Sequence, residues 1–438
     1  MRCGFVPPYL LEQIARAPDL GQAVDPGAVL ACRETLMIDA MFRDLRQRER
    51  LRIDAIETGG WIVHTALNGA SLPGTPVRSQ DDDESGDEAV DEAWSGIAAT
   101  LEMFAEVYDR TSYDDAAARV MATVHYQRDY DNAFWDGTRL VFGDGDGVIF
   151  DRFTKPVDVL AHEFSHAVTE HTAGLVYQGQ SGALNESVSD VFASCLKQRL
   201  LGQDASEGDW LIGAGLLLPG VRGVALRSMA APGTAYDDPV LGKDPQAGHL
   251  DGYVETQDDN GGVHLNSGIP NRAFQLAAVA IGGSSAEGAG RIWYDALLSV
   301  AADADFVAFA AATVAAAGEH ADVVREAWSQ VGVDSTARAD LHSAAAVPDS
   351  GVVEVSRSGG FAGLVTARSL DLTAEGDRAQ EARSLVERID FAQTASGSSH
   401  PDGYVYRFRV GDTEVTVPEH HVSGDLARLA AIVLDEGD

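Results

Sequence analysis

At 438 residues, 45% of them hydrophobic, the chain exceeds what one compact core organises, and two to four domains are expected. A net charge of −36 repels a phosphate backbone or an anionic bilayer, which excludes nucleic acid and acidic membranes as partners; no apolar run approaches the ~20 residues that span a bilayer. The three widely spaced cysteines, Cys3, Cys32 and Cys195, argue against a disulfide scaffold, and the opening stretch lacks a charged-then-apolar leader, so the expected location is cytoplasmic or exported without a recognisable signal peptide.

Residues 1–50 read as a mostly helical piece, with one run starting after Pro7-Pro8 and another from Ala28 to Arg46. From Leu51 to about Leu72 short alternating runs suggest strands, and the acid-rich stretch from Arg78 to Glu88 reads as a solvated loop. Ala93, Ile97, Leu101 and Phe104 form a helical stripe of core type. Ala122 to Tyr126 reads as a strand, and Gly143-Asp-Gly-Asp-Gly147 as a turn closing a hairpin.

The centre of the chain carries the chemistry. After Pro156, the stretch Asp158-Val-Leu-Ala-His162-Glu163-Phe-Ser-His166 predicts a helix over about Val157 to Thr172, with an acid in its first turn. His162 and His166, four apart, share one helical face, where two imidazoles can grip a zinc ion. Glu163 lies about 100° round the helix, close enough to take a proton from a water activated by the metal, and is the candidate general base. A second helix is predicted over about Ala183 to Leu201. It carries Glu186 and Asp190 four apart: Glu186 as third ligand, Asp190 as acceptor from a ligand histidine, fixing its tautomer.

Helical runs follow at Asn266–Ala280, Glu287–Ala302, Asp305–Ala316 and Asp322–Val331. Periodicity is lost from Asp334 to about Asp349. Beyond it, alternating stretches at Val352, Tyr404 and Glu414 and two amphipathic helices predict a small α+β domain.

Seven ordered blocks resemble the thermolysin family of zinc endopeptidases: Asn132-Ala133-Phe-Trp-Asp-Gly, Gly143-Asp-Gly-Asp-Gly, His162 to His166, Gly174-Leu-Val-Tyr177, Ser181 to Asp190, Leu226-Arg227-Ser-Met and Asp259-Asn-Gly-Gly-Val-His264-Leu-Asn266. The Pro7-Pro8-Tyr-Leu-Leu start is similar to its protealysin-like members. The resemblance implies an α+β, two-lobed catalytic unit over residues 51–200 and 201–340 with the zinc helix between the lobes, acting as a neutral metalloendopeptidase on polypeptides. It further implies that Tyr177 and His264 stabilise the oxyanion, Asp259 orients His264, Arg227 binds a substrate carbonyl, and Asn132, Ala133 and Asn185 hold the substrate backbone. Leu226 and Ile212 match an apolar pocket, which implies cleavage on the amino side of Leu, Ile, Val or Phe.

Because they precede the first of these blocks, residues 1–50 read as a pro-segment, the charged run Arg46-Gln-Arg-Glu-Arg50 before an apolar strand suggests self-cleavage near Arg50-Leu51, and Cys3 is the candidate zymogen switch, as a thiolate able to bind the zinc. The family's paired calcium site retains Asp158 and Asp209 here, but Lys197, Leu211 and Ala214 replace acids, so zinc is expected without the double calcium site. After a linker at 341–351, residues 352–438 resemble emfourin, a small inhibitor of protealysin-like peptidases, and suggest an on-board regulator. Two other readings compete: a catalytically quiet binding protein whose tail occludes the cleft, and a zinc-dependent esterase or amidase.

Overall fold

The computed structural model describes residues 4–49, 59–336, 352–359, 364–372, 374, 377–389, 404–410, 413–418, 422 and 424–434. Cys3, the Arg50-Leu51 junction and the 341–351 linker lie outside them. The chain divides into two compact units, Met1–Arg338 and Ala339–Asp438.

The first unit opens with α1 (Pro8–Arg16), which starts on a proline whose fixed φ suits a first helical turn, and buries Leu10, Leu11 and Ile14. The longer α2 (Pro26–Glu49) packs against it. A five-stranded mixed sheet follows, built from β1 (Trp61–Thr65), β2 (Thr75–Ser79), β3 (Val120–Val124), β4 (Ala133–Trp135) and β5 (Leu140–Phe142) in the order β2-β1-β3-β5-β4. β4 runs antiparallel at one edge, pairing Ala133 with Phe142. Between β2 and β3, α3 (Glu88–Tyr108) is capped by Asp87, whose side chain accepts from the N–H groups of Ala89 and Val90. Its Ala93, Ile97 and Phe104 are buried and Leu101 is partly buried, as the stripe implied.

The two central helices are α4 (Val157–Glu170) and α5 (Gly179–Leu201). Both are buried almost throughout, which suits elements enclosed on all sides. α5 ends on Gly202 in the left-handed conformation at φ 62°, which a glycine adopts without strain. Short ladders follow: β6 (Leu211–Ile212) with β7 (Arg227–Ser228), and β8 (Asp237–Asp238) with β9 (Gly242–Lys243). Helices α6 (Asp259–Asn266), α7 (Gly268–Ile281), α8 (Arg291–Leu297), α9 (Phe306–Ala316) and α10 (Ala321–Gln330) complete a largely helical second half.

Three expectations shift. Residues 59–72 contain one strand, β1, and the alternating run before it falls in 51–58, outside the described residues. Gly143–Gly147 follows β5 rather than closing the β4–β5 hairpin, which turns at residues 136–139. There Asp146 Oδ1 accepts from the N–H groups of Val148, Ile149 and Phe150, so local side-chain hydrogen bonds make this a loop. The helix expected over Asn266–Ala280 is α7 from Gly268, and ahead of it stands the unexpected short α6, in which Asn260, Gly261 and Gly262 all have positive φ and turn the chain before His264.

In the second unit, β10 (Val352–Gly359), β11 (Leu364–Asp371), β12 (Tyr404–Val410) and β13 (Thr413–Pro418) form an antiparallel sheet in the order β11-β10-β12-β13. Val353, Val355, Phe408 and Val417 face helices Asp377–Arg388 and Gly424–Leu434, which contribute Leu385 and Leu429 to the same core. β11 was not read from the sequence; its Leu364-Val-Thr-Ala-Arg-Ser-Leu-Asp pattern alternates only weakly.

Candidate active site

His162 and His166 project from one face of α4 and meet Glu186 of α5, and the three are buried with ligand atoms all within 4.8 Å of one another. The two Nε2 atoms stand 3.0 Å apart, with Glu186 oxygens 3.4 Å from His162 Nε2 and 3.6 Å from that of His166. Each ring's other nitrogen is occupied. His162 Nδ1 lies 2.8 Å from Asp190 Oδ1, and His166 Nδ1 lies 2.8 Å from Asn185 Oδ1 and 3.1 Å from Ser189 Oγ. With both Nδ1 positions protonated toward acceptors, the two Nε2 lone pairs and a carboxylate converge on one point. Such a donor set repels itself unless a cation sits there, so these residues fit a single zinc ion. Burial lowers His166 to about 4, which keeps its imidazole neutral as a ligand must be.

Asp190 ties this cluster to the substrate side. Its carboxylate accepts from Arg227 Nε at 2.8 Å and Nη2 at 2.7 Å as well as from His162, and from Asn271 Nδ2 at 2.8 Å. Burial would raise Asp190, but Arg227 and His162 more than offset it and leave it at about 2, fully ionised. Asn271 carried no signal in the sequence, since nothing in its spacing points at residue 190. Asn185, which the family resemblance puts on the substrate backbone, has its Oδ1 2.8 Å from His166 Nδ1 and donates from Nδ2 to Leu175 O at 3.2 Å.

Glu163 lies on the adjacent face of α4 with Oε2 held by the N–H of Trp135 in β4 at 2.7 Å. Its Oε1 has no hydrogen-bond partner among the described residues. Burial pushes this carboxyl up to about 8, with His162 pulling against the rise. His264 Nε2 is 3.5 Å from Glu186 Oε2, and its Nδ1 lies 2.7 Å from Asp259 Oδ1. The left-handed turn makes this pair possible. Gly261 in it lies so close to Gly179 that an added Cβ would stand 2.9 Å from the Gly179 nitrogen. Tyr177 donates its hydroxyl to Glu186 Oε1. Tyr177, His264 and Asp259 thus converge on the same centre.

The remaining sequence candidates, Asn132, Ala133 and Arg227, grip an extended peptide, and that peptide is the chain's own N-terminal segment. Gly4 bridges Phe134 in antiparallel fashion, and Phe5 N–H donates to Ala133 O at 3.0 Å. Val6 N–H donates to Asn132 Oδ1 at 2.8 Å, Asn132 Nδ2 returns to Val6 O at 3.3 Å, and Arg227 Nη1 donates to Phe5 O at 3.1 Å. The Phe5 ring stands edge-on to His162 at 5.2 Å and under the Arg227 guanidinium at 4.7 Å, against Gly213 and beside the Leu226 that the sequence assigned to the pocket. Gly4 is needed for this approach, because a Cβ there would lie 2.4 Å from Asn132 Nδ2. Phe5 was not singled out from the sequence, although it adjoins the Pro7-Pro8 motif.

At the base of α4, Lys197 Nζ lies 2.7 Å from Asp209 Oδ1, 3.7 Å from Asp158 Oδ2 and 2.5 Å from Leu211 O. Asp158 also accepts from Gly213 N–H at 3.1 Å. An ammonium group therefore joins the start of the zinc helix to the strand that walls the Phe5 pocket.

A buried two-histidine, one-glutamate donor set with an acid beside it, facing a cleft that grips extended backbone, defines a metal-dependent peptidase. Comparisons agree. The family model described as "Thermolysin metallopeptidase, catalytic domain" matches residues 44–170, "Thermolysin metallopeptidase, alpha-helical domain" matches 173–333, and "Emfourin" matches 355–434. An "Extracellular metalloprotease" of Pectobacterium carotovorum is 48% identical over 339 residues, covering 76% of this chain and 96% of that protein. A "Thermolysin" of Alicyclobacillus acidocaldarius is 37% identical over 297 residues, covering 64% of this chain and 52% of its own. The solved "Precursor of Protealysin" from Serratia proteamaculans superposes with a TM-score of 0.68 at 45% identity, covering 76% of this chain and 99% of that one. The chain belongs to the thermolysin metallopeptidase family, on its protealysin-like side, and carries an emfourin domain. It is a thermolysin-like metalloendopeptidase. Among the described residues no helix is long and apolar enough to cross a membrane.

Proposed function

We propose that this peptidase is made as a latent precursor that cleaves polypeptides on the amino side of bulky apolar residues, phenylalanine among them. The observation that carries the reading is the hold on Phe5. Its N–H donates to Ala133 O, its carbonyl accepts from Arg227, the next residue's N–H donates to Asn132, and its ring fills the pocket beside His162. Residues 1–50 thus act as a pro-segment, with Gly4, Phe5 and Val6 lying in the cleft in place of a substrate. The solved relative described as a precursor supports that reading.

Zinc held by His162, His166 and Glu186 would polarise the scissile carbonyl and acidify a water molecule. Glu163 accepts the proton of that water on its open Oε1 and passes it to the leaving nitrogen, while Trp135 N–H keeps its other oxygen in place. His264 and Tyr177 donate hydrogen bonds to the carbonyl oxygen as charge develops there, with Asp259 holding His264 in register. Arg227 fixes the next carbonyl, and Asp190 keeps its guanidinium aimed.

Lys197 takes the place of divalent cations at the start of α4, so the paired calcium site is absent from this reading. The emfourin match supports a regulatory role for residues 352–438, and a relative named as extracellular supports action outside the cell. The test is hydrolysis of matched peptides bearing Phe or Asp just past the scissile bond. Chelator-sensitive cleavage of the Phe peptide alone is expected; cleavage of both alike, or neither, overturns the proposal.

A further inference from the structure

The seam where α2 covers the edge of the cleft holds a buried carboxylate that no cationic side chain answers among the described residues. Asp131, the residue before Asn132, is 0% exposed. Its backbone N–H donates to Thr35 Oγ1 at 3.1 Å, and its Oδ2 takes the thiol of Cys32 at 3.6 Å, a weak donor. Its Oδ1 has no hydrogen-bond partner among the described residues. After burial, the groups that act on it most are Asp146 from the loop after β5, whose carboxylate repels it while its backbone N–H partly offsets this, the Cys32 thiol from α2, and Asp129 from its own segment. Asp146 Oδ2 is likewise buried without a hydrogen-bond partner among the described residues. One turn further along α2, Asp39 accepts from Tyr130 OH at 2.5 Å and Asn132 Nδ2 at 3.0 Å. Thr35, Cys32 and Asp39 lie on one face of α2, so this helix seals Tyr130, Asp131 and Asn132 together.

We propose that Asp131 makes this seal a proton-operated latch: α2 closes over the cleft edge while Asp131 carries a proton, and loss of that proton to solvent loosens α2.

The sign follows from linkage. Burial, then Asp146, pushes Asp131 well above the ordinary carboxylate range while α2 is in place. Once α2 lifts, water reaches the group and it returns toward about 3.9. The sealed state binds more protons, so its stability is full below about pH 4 and falls as pH rises toward the raised value, by up to about tenfold per pH unit. Acid closes the latch and neutral pH opens it.

The inference rests on reading residues 1–50 as a detachable pro-segment, but its readout needs no peptidase activity. Native-state amide exchange on the full chain, in a Glu163→Gln background that prevents self-cleavage, gives the opening constant of α2 at residues 28–40, with α5 as internal reference. That constant is expected to rise at least tenfold between pH 5 and pH 7, and to stay flat in Asp131→Asn. Asp131→Ser serves if the Asn variant does not fold. A flat profile with Asp131 intact, or an equal rise in the uncharged variant, overturns the latch. Either result leaves the peptidase reading standing, whereas a peptide assay that fails while the exchange profile holds would remove only the peptidase reading.

Discussion

Asp190 and Arg227 form a buried, two-pronged ion pair, with Nε and Nη2 of the arginine at 2.8 and 2.7 Å from the two carboxylate oxygens. One of those oxygens also takes His162 Nδ1. A single side chain therefore orients His162 and also aims the guanidinium that holds the Phe5 carbonyl, so metal affinity and substrate binding are expected to be coupled. Asp190→Asn is expected to weaken zinc binding about 10–100-fold and to raise KM as well, read by chelator competition and by steady-state kinetics. A variant that changes one of the two and not the other would contradict the coupling.

The uncleaved chain should gain activity when Phe5 loses its ring. Phe5 is 0% exposed, and burial of such a side chain contributes about 1.5–3 kcal/mol to holding the segment in the cleft. Phe5→Ala is expected to raise the peptidase rate of intact precursor by roughly 10–100-fold. Equal rates with and without the ring would mean that latency has another source.

Lys197 should make the protein indifferent to calcium. Its ammonium group answers Asp158, which is 1% exposed and which burial alone would raise, and the more open Asp209. Lys197→Met leaves Asp158 buried without a counter-charge, at an expected cost of about 3–5 kcal/mol in stability. Thermal unfolding with and without added calcium reads both points: Tm of the unaltered chain should not move with calcium, and Tm of the variant should drop by several degrees.

His125 sits between Asp144 at 2.8 Å and Asp87 at 3.0 Å, tying the cap of α3 to the loop after β5. The hydrogen bond to Asp144 leads in raising it to about 9 against the pull of burial. Since the folded value lies above the ordinary 6.5, this pairing stabilises fully below about pH 6.5 and is lost as pH climbs through about 9. The effect is expected to be on the order of 1–2 kcal/mol after solvent screening at the half-buried Asp87. His125→Gln should flatten the fall in Tm between pH 6.5 and pH 9.5.

The metal donors were legible because four-residue helical spacing converts directly into a shared face, at His162 and His166 and again at Glu186 and Asp190. The same spacing could not tell which partner Asn185 would serve, because it turns on which way an amide points, and that is settled by Leu175 O across the turn. Asn271 and Trp135 reach the site through tertiary packing and a backbone N–H, neither of which leaves a mark in a one-dimensional pattern. The β11 strand escaped because its alternation is broken by small and polar residues, and its place is set by pairing with β10. Burial of Phe5 depends on Gly4 meeting the edge of β4, a contact between positions 130 residues apart.

The central claim is that a zinc ion held by His162, His166 and Glu186 works with Glu163 as proton acceptor. The most direct measurement is the rate at which activated enzyme cleaves an unfolded protein after Glu163→Gln, with zinc content determined on the same sample. The account expects one zinc per chain and a rate at least about 10²-fold lower. Retention of the full rate by the variant, or an active enzyme that holds no zinc, would contradict it.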